Sequence, residues 1–171
     1  MRNLILSLIT LTFLSCNSAK QPKINKTETS SSLNIFMDDW HKDVATFNYN
    51  AYFNKIDSLG YFIGTDASEV WTKTEFEAFS KPYFDKKQTW DFKALDRHFF
   101  INETGDIAWF NEVLDTWMGL CRGSGILQKK NGEWKIMQYV LSVTIPNDDI
   151  KPVIAAKQVN DSIAKATYIK R

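Results

Sequence analysis

Carboxylates are the side chains of this sequence best suited to acid–base chemistry. Asp66 follows an apolar run in Gly64-Thr65-Asp66, and Asp115 ends an alternating run. Either could remove a proton from carbon if it lay in an apolar pocket beside a donor for the enolate oxygen. For Asp66, a turn-forming role through bonds to its own backbone is the alternative. The two aspartates are therefore the candidates for a catalytic base.

Other reactive side chains stand alone. His41 lies beside Trp40, and His98 lies among aromatic residues, so the spacing does not favour a metal site and core or surface roles are expected for both. Cys121 falls within an apolar run, which favours a buried, inert thiol. The glycine-rich phosphate loop, the G-x-S-x-G elbow and the C-x-x-C pair are absent from the sequence. We expect no cofactor.

Alternation in the second half of the chain predicts which side chains share a face. The faces taken to point inward carry Trp109, Asn111, Val113 and Asp115, then Arg122, Ser124 and Ile126, then Trp134, Ile136, Gln138, Val140 and Ser142. We predict a ligand pocket formed by Trp71, Trp109, Asn111, Arg122 and Gln138. Contact with solvent or a dimer partner is the alternative for the polar members, and core filling is the alternative for the tryptophans.

Arg122 would need a partner in such a pocket. A buried guanidinium without a counter-charge costs about 3–5 kcal/mol. We therefore expect either Asp115 on the neighbouring strand or an anionic group of the ligand to pair with it.

Four strands would position these residues, at 90–101, 107–118, 120–130 and 133–143. They are joined by short turn signals, and Asn131-Gly132 predicts a two-residue hairpin turn with positive φ at both positions. The pattern is typical of an antiparallel meander with one buried face. Trp109, Ile136 and Phe76 are expected to be buried.

Helical segments precede the strands. Apolar residues at steps of three and four predict one helix over residues 32–55. Residues 61–63 and 69–71 are predicted to form the two strands of a small hairpin. Thr72 and Glu75 form a capping box for a second helix, which should stop or kink at Pro82. A further helix over residues 152–166 is possible.

The order of these elements resembles the nuclear transport factor 2-like α+β cone, in which a long helix and a short helix pack on a curved, mostly antiparallel sheet. The motifs that resemble its SnoaL-like branch are Phe62-Ile-Gly-Thr-Asp66, Glu69-Val-Trp71, Phe79-Ser-Lys-Pro-Tyr-Phe84, Gly105-Asp-Ile-Ala-Trp109, Arg122-Gly-Ser-Gly125 and Trp134-Lys-Ile136 through Ser142. The resemblance covers about residues 34–147. Relatives often carry histidine where this chain has Gln138 or Val140, which weakens an acid–base role here.

The first residues predict export. Arg2, the apolar run over residues 4–14 and Ser15-Cys16 resemble a bacterial lipoprotein signal at residues 1–15, with Cys16 lipidated; an ordinary cleaved signal is the alternative. Residues 16–32 read as a disordered polar tether, 33–147 as the domain and 148–171 as a tail. The expected location is the bacterial cell envelope, lipid-anchored to a membrane and facing the periplasm or the exterior.

Composition narrows the partners. The net charge of +1, with no basic block outside the termini, argues against nucleic-acid binding. We expect a homodimer that binds a small apolar or anionic ligand without turnover. The alternatives are a cofactor-free isomerase or hydratase that uses an aspartate base, and a dimeric interaction module without a ligand.

Overall fold

The computed structural model describes residues 24–170. In chain order its elements are α1 (Lys26–Ala45), α2 (Tyr49–Asn54), β1 (Ile56–Ile63), β2 (Val70–Thr72), α3 (Lys73–Asp85), β3 (Lys93–Ile101), β4 (Ile107–Thr116), β5 (Gly119–Lys130), β6 (Glu133–Val143), a 3-10 turn (Asn147–Asp149) and α4 (Ile150–Ile169). The strands form one sheet in the order β2-β1-β6-β5-β4-β3. Only β1 and β6 pair in parallel, so the predicted α+β architecture with a mostly antiparallel sheet is confirmed.

The helix predicted over residues 32–55 is in fact two helices. Phe47 adopts a positive φ of 62° and ends α1, and the Asn48 side chain then caps α2 by accepting a hydrogen bond from the Ala51 amide. A bulky residue in the left-handed region cannot continue a helix. The apolar periodicity runs through this break, which is why the pattern did not reveal it.

Helix α1 also begins earlier than predicted. Asn25 accepts a hydrogen bond from the Glu28 amide, so the helix starts at Lys26. The disordered tether expected over residues 16–32 is therefore wrong for its last part. Asn25 is a good N-cap residue, and polar side chains on a helix that packs through its later turns need no apolar partners of their own.

Helix α3 begins at the predicted capping box and continues past Pro82 to Asp85, so of the stop or kink predicted at this residue the stop does not occur. The Lys86 amide still donates to the Pro82 carbonyl at 3.2 Å. Phe76 and Phe84 on the same helix are both buried, and their packing offsets the hydrogen bond that proline cannot make.

The hairpin at residues 131–132 is confirmed. Asn131 and Gly132 have φ values of 52° and 88°, and β5 pairs antiparallel with β6 from Lys130–Glu133 onward. This turn fixes where β6 starts, and therefore which residues lie opposite β5.

The core lies between α1, α2, α3 and one face of the sheet. One stripe of α1 is buried against it and consists of Leu33, Met37, Trp40, His41 and Val44. Helix α4 has no buried side chain. None of the helices between residues 24 and 170 combines the length and the apolar character needed to cross a membrane.

Candidate functional site: an aromatic cavity beside a buried ionic network

An apolar cavity of about 160 Å³ opens at the end of the domain that carries the β4–β5 turn. Its lining residues are Phe62, Gly64, Thr65, Glu69, Trp71, Phe76, Phe79, Trp90, Phe92, Trp117, Met118 and Leu141. Seven of the twelve are aromatic. A dry apolar cavity of about 150 Å³ can hold benzene, so this one suits a ligand of roughly that size.

The wall of the cavity is a stack of nearly parallel rings. Phe62 on β1 and Phe76 on α3 stack with their centroids 3.9 Å apart and their planes 13° apart. Trp71 on β2 and Phe79 on α3 stack at 4.6 Å and 23°. The capping box sets the start of α3 and so places both phenylalanines against the two strands. Stacked rings of this kind give the wall a fixed shape before any ligand arrives.

Polar groups are few in this lining. Glu69 is the only ionisable residue among the twelve, and its Oε2 accepts a hydrogen bond from the Asp66 amide at 3.1 Å. The carboxylate lies directly over Gly64: a Cβ added there would sit 2.2 Å from Glu69 Oε2. The absence of a side chain at residue 64 therefore lets Glu69 take up its position at the cavity.

Trp117 stands at the mouth. It occupies the tip of the β4–β5 turn, where Thr116 Oγ1 accepts from the Met118 amide at 3.0 Å and donates to the Gly119 carbonyl at 2.9 Å. The turn is thereby braced, yet the Trp117 side chain is 81% exposed. A tryptophan this exposed at the rim of an apolar cavity offers a free ring face to whatever enters.

A second, larger groove of about 540 Å³ lies between α1, α2 and the β5–β6 turn. Its two lysines already have partners: Lys135 pairs with Glu133 at 3.1 Å and donates to the Asn54 carbonyl, and Lys55 pairs with Asp43. Lysines engaged in this way are poorly placed to receive a ligand, so the aromatic cavity is the better candidate.

A buried ionic network lies behind the cavity, between α1 and the sheet. Its centre is Glu112 on β4, which is 1% exposed. Glu112 Oε1 accepts from the Tyr139 hydroxyl at 2.7 Å and lies 3.0 Å from His41 Nε2, and its Oε2 accepts from Arg97 Nε at 2.7 Å. Arg97 Nη1 donates onward to Asp38 at 2.8 Å. The network joins α1 to β3, β4 and β6.

The network holds Glu112 as an anion. Burial by itself would raise the pKa of Glu112, but the hydrogen bond and charge of His41, the charge of Arg97 and the Tyr139 hydroxyl outweigh it and lower the pKa to about 2. Burial and the Glu112 charge raise the pKa of Tyr139 well above its usual value. A carboxylate with so low a pKa accepts hydrogen bonds but is a poor general base near neutral pH. The network is therefore suited to fastening α1 to the sheet.

The side chains of β4 and β5 point in the opposite directions from those predicted. The buried face of the sheet carries Ala108, Phe110, Glu112 and Leu114 on β4, Cys121, Gly123, Gly125 and Leu127 on β5, and Ile136, Tyr139 and Leu141 on β6. The residues predicted to point inward on β4 and β5 lie on the outer face, and Trp109 is 48% exposed rather than buried. Ile136 and Phe76 are buried as predicted.

Two physical features account for the reversal. On β4 each alternating set combines large apolar residues with polar ones, and on β5 the inward set includes Gly123 and Gly125, so alternation alone did not distinguish the two faces. On β6 a bulge shifts the register, since Leu127 pairs with Ile136 while Ile126 pairs with Gln138. Ile136 therefore points inward, but Gln138, Val140 and Ser142 lie on the outer face.

The predicted pocket residues are consequently separated. Trp71 lines the aromatic cavity, whereas Trp109, Asn111, Arg122 and Gln138 lie on the outer face of the sheet. The expectation that Arg122 is buried and paired with Asp115 is wrong: both are exposed, and Arg122 Nη1 only approaches Asn111 Oδ1 at 3.5 Å. The buried arginine of this sheet is Arg97.

The candidate bases also lie outside the cavity lining. Asp66 accepts hydrogen bonds from the Ser68 amide and hydroxyl, which lower its pKa, as expected of a turn-forming aspartate. His98 is exposed and contacts Asp96 at 2.9 Å, while Cys121 is buried. Within residues 24–170, no three His, Cys, Asp or Glu side chains converge to hold a metal ion.

Sequence reasoning missed the residues that matter most. Glu112 is in phase with Phe110 and Leu114, and a charge in phase with large apolar residues is a signal for a buried ion pair that could have been used. The sequence predicts that Phe76 is buried, but it does not identify Phe76 or Phe79 as a wall of the cavity. Glu69 belongs to the Glu69-Val-Trp71 motif, but that motif does not show that its carboxylate reaches the cavity, because its position depends on Gly64 across a loop.

With this geometry in view, comparison with known sequences assigns the chain to a family. The model of the SnoaL-like domain family matches residues 33–146, about two thirds of the chain, and the protein belongs to that family. No curated protein matches the chain in sequence.

Solved structures agree on the fold. A nuclear transport factor 2-like family member from Streptomyces avermitilis, provisionally assigned as a dehydratase, aligns with a TM-score of 0.60 and 10% identity over 72% of this chain and 100% of its own. A nuclear transport factor 2-like protein of unknown function from Pseudomonas putida aligns with a TM-score of 0.56 and 12% identity over 71% of this chain and 90% of its own. The association domain of C. elegans CaMKII aligns with a TM-score of 0.56 and 18% identity over 70% of this chain and 100% of its own. At these identities the likeness shows the nuclear transport factor 2-like cone and nothing finer.

Proposed function

We propose that this SnoaL-like domain binds a small, mostly apolar ligand in its aromatic cavity and does not turn it over. The observation that supports this proposal is the composition of the lining: seven aromatic side chains surround a cavity of about 160 Å³, and a single ionisable group is present. Sites of this kind, apolar with few placed polar groups, are typical of small-molecule binding.

Two observations favour binding over catalysis. Neither Asp66 nor Asp115 lines the cavity, and the hydrogen bonds of Asp66 lower its pKa when a general base needs a pKa near the working pH. The buried carboxylate nearest to the core, Glu112, is saturated by three donors. The isomerase or hydratase alternative would therefore need a base from outside these groups.

The binding function is tested by a substitution that alters the lining of the cavity at a partly exposed residue. Phe79 and Tyr83 lie one turn apart on α3 and are 40% and 43% exposed, but only Phe79 lines the cavity. Phe79→Asp should abolish binding of small aromatic probes, measured by calorimetry or by shifts of indole N–H signals, and Tyr83→Asp should preserve it. Equal binding by both variants would refute the cavity as the site.

The anchor is also part of the proposal, although residues 1–23 lie outside the described part of the chain. Its support is the lipoprotein-like run that ends at Ser15-Cys16. We propose that Cys16 carries lipid and holds the domain at the bacterial cell envelope, where several acyl chains make anchoring stable. Wild-type protein should fractionate with membranes and Cys16→Ser should not; an unmodified, fully soluble wild-type chain would refute the anchor.

Dimerisation through the outer face of the sheet completes the proposal. Strand pairing places a row of side chains across five strands: Tyr61, Gln138, Ile126, Trp109 and Phe100. Four of the five are large apolar residues that are 40–48% exposed, and one structural relative is named an association domain. A continuous exposed apolar row of this kind marks an interaction surface.

Sedimentation tests this part. Trp109→Lys should lower the mass measured in solution to that of the monomer. The matched control is Ile35→Lys, because Ile35 is also exposed but lies on α1, on the other side of the sheet. A wild-type chain that is already monomeric would refute the dimer.

A further inference from the structure

The electrostatic character of the aromatic cavity has a definite sign. No lysine, arginine or histidine is among its twelve lining residues, and its only ionisable group is the carboxylate of Glu69. A ring face that meets the cavity carries negative potential and acts in the same direction as the carboxylate. A cation would be favoured in this site and an anion would be opposed.

Desolvation strengthens the argument. A ligand that fills the cavity must displace water from Glu69, whose side chain is half-buried and whose Oε2 already accepts from the Asp66 amide. Its Oε1 has no bonding partner within residues 24–170. A neutral apolar ligand would leave that oxygen dry and unpaired, which costs free energy, whereas a positive charge would compensate it.

Tryptophan supplies the strongest cation–π partners, and three tryptophans contribute to the lining. Trp71 is held in the ring stack, Trp90 packs against Phe76 at 5.9 Å, and Trp117 presents its ring at the mouth. The exposed indole of Trp117 and the stacked ring of Trp71 are aromatic surfaces that a cation can contact, and the Glu69 carboxylate provides the counter-charge.

We propose that the ligand is a small organic cation, a quaternary ammonium or a protonated amine with apolar substituents, held by the aromatic rings and Glu69. This inference rests on the proposed binding function and sharpens it. It also reverses the anionic ligand that a buried Arg122 would have implied, since Arg122 lies on the outer face.

Gly64 is a positioning residue in this site. Because a Cβ at residue 64 would overlap Glu69 Oε2, any larger side chain must push the carboxylate away from its present place. Gly64 is not in the left-handed region, so alanine is allowed by the backbone and the effect of Gly64→Ala should fall on Glu69.

The experiment uses three probes of one shape and different charge. Choline is the cation, 3,3-dimethylbutan-1-ol is its neutral carbon analogue, and 3,3-dimethylbutanoate is the anion; each is titrated into the full domain by calorimetry. We expect choline to bind about tenfold more tightly than the alcohol, as a desolvated cation–π contact implies, and the anion to bind most weakly. Raising the salt concentration should narrow the difference.

Variants assign the effect to the site. Glu69→Gln should remove most of the preference for choline while leaving the alcohol unchanged, and Gly64→Ala should reduce the preference in the same direction. Glu103→Gln is the control, because it removes the same charge from the exposed β3–β4 turn, which does not line the cavity. Loss of binding of all three probes in a Glu69→Gln variant that keeps its thermal transition would overturn the proposal, because removal of the counter-charge alone should leave the alcohol bound.

The outcomes separate the two claims. Equal or tighter binding of the alcohol, or a preference for choline that survives Glu69→Gln, would overturn the cation and leave the ligand-binding function standing. If none of the three probes binds at millimolar concentration, both the cation and the binding function are wrong.

Discussion

The two faces of the sheet carry similar apolar side chains but treat polar ones in opposite ways. The inner face buries Glu112 between Phe110 and Leu114 and surrounds it with three donors. The outer face leaves Arg122 exposed, with one long contact of 3.5 Å to Asn111. The difference shows that a charged residue can be buried nearly as completely as its apolar neighbours Ala108 and Leu114 when the fold supplies its partners.

The contrast also separates stability from recognition. On the inner face both carboxylate oxygens of Glu112 have partners and the network ties α1 to three strands, with Arg97 Nη2 as its one buried atom without a hydrogen bond within residues 24–170. At the cavity, Glu69 keeps an unbonded oxygen and Trp117 keeps a free ring face. Groups that are already paired hold the fold, and groups that are not are available to a ligand.

The largest effect is expected from breaking the network. Glu112→Gln removes the anion that faces Arg97 and His41, and an uncompensated buried charge costs about 3–5 kcal/mol. The control Asp115→Asn makes the same chemical change on the same strand, but at an exposed residue. Urea denaturation should show a large loss of unfolding free energy for the first variant and less than about 0.5 kcal/mol for the second.

Equal effects of these two substitutions would show that the inner and outer faces do not differ in the way described. If Glu112→Gln fails to fold, the comparison is still decided by the stability of Asp115→Asn.

Acid should weaken the inner face selectively. The pKa of Glu112 is about 2 in the folded state against an ordinary 4.5, so its contribution is complete above pH 4.5 and is lost as the pH falls through about 2. The difference corresponds to about 3 kcal/mol of unfolding free energy. Asp115→Asn should follow the wild-type curve.

A direct titration checks the same point without a variant. The carboxyl carbon of Glu112, followed by NMR, should titrate with a midpoint near 2. A midpoint near 4.5 would mean that the carboxylate is not held by His41, Arg97 and Tyr139.

A smaller effect is expected from crowding the network. A Cβ added at Gly123 would lie 2.3 Å from the Tyr139 hydroxyl and 2.7 Å from Glu112 Oε1. Gly123→Ala must displace both groups and should cost about 1–3 kcal/mol. Ser124→Ala, at the next residue but on the outer face, should be nearly neutral. Thermal unfolding distinguishes them, and a neutral Gly123→Ala would show that the network has room to spare.

Much of the fold could be predicted because short local sequence patterns determine where its turns and helices begin. Asn131 and Gly132 set the β5–β6 turn, Thr72 and Glu75 set the start of α3, and both were recognised from residue type alone. Phe47 could not be recognised as a helix break, because the positive φ at a helix end is usually supplied by glycine or asparagine rather than by phenylalanine.

The site was less predictable because it depends on a choice that alternation does not make. Trp109 and Phe110 are both large apolar neighbours, so their residue types do not show which of them points inward. On β6 the bulge after Ile136 then moved Gln138 to the outer face. Contacts across the sheet, rather than the periodicity of any one strand, determine which side chains of β4, β5 and β6 point inward.

The smallest effect is expected at Arg122, and it is the sharpest test of the outer face. Arg122 is exposed and its one polar contact, to Asn111, is long, so Arg122→Met should change the unfolding free energy by less than about 0.5 kcal/mol. In dilute protein the variant and the wild type should unfold alike in urea. If the protein dimerises through the outer face as proposed, the added apolar surface next to Ile126 and Trp109 should strengthen that dimer at higher concentration. A loss of several kcal/mol in the dilute protein would mean that Arg122 is paired and desolvated after all, and that the inner and outer faces have been assigned the wrong way round.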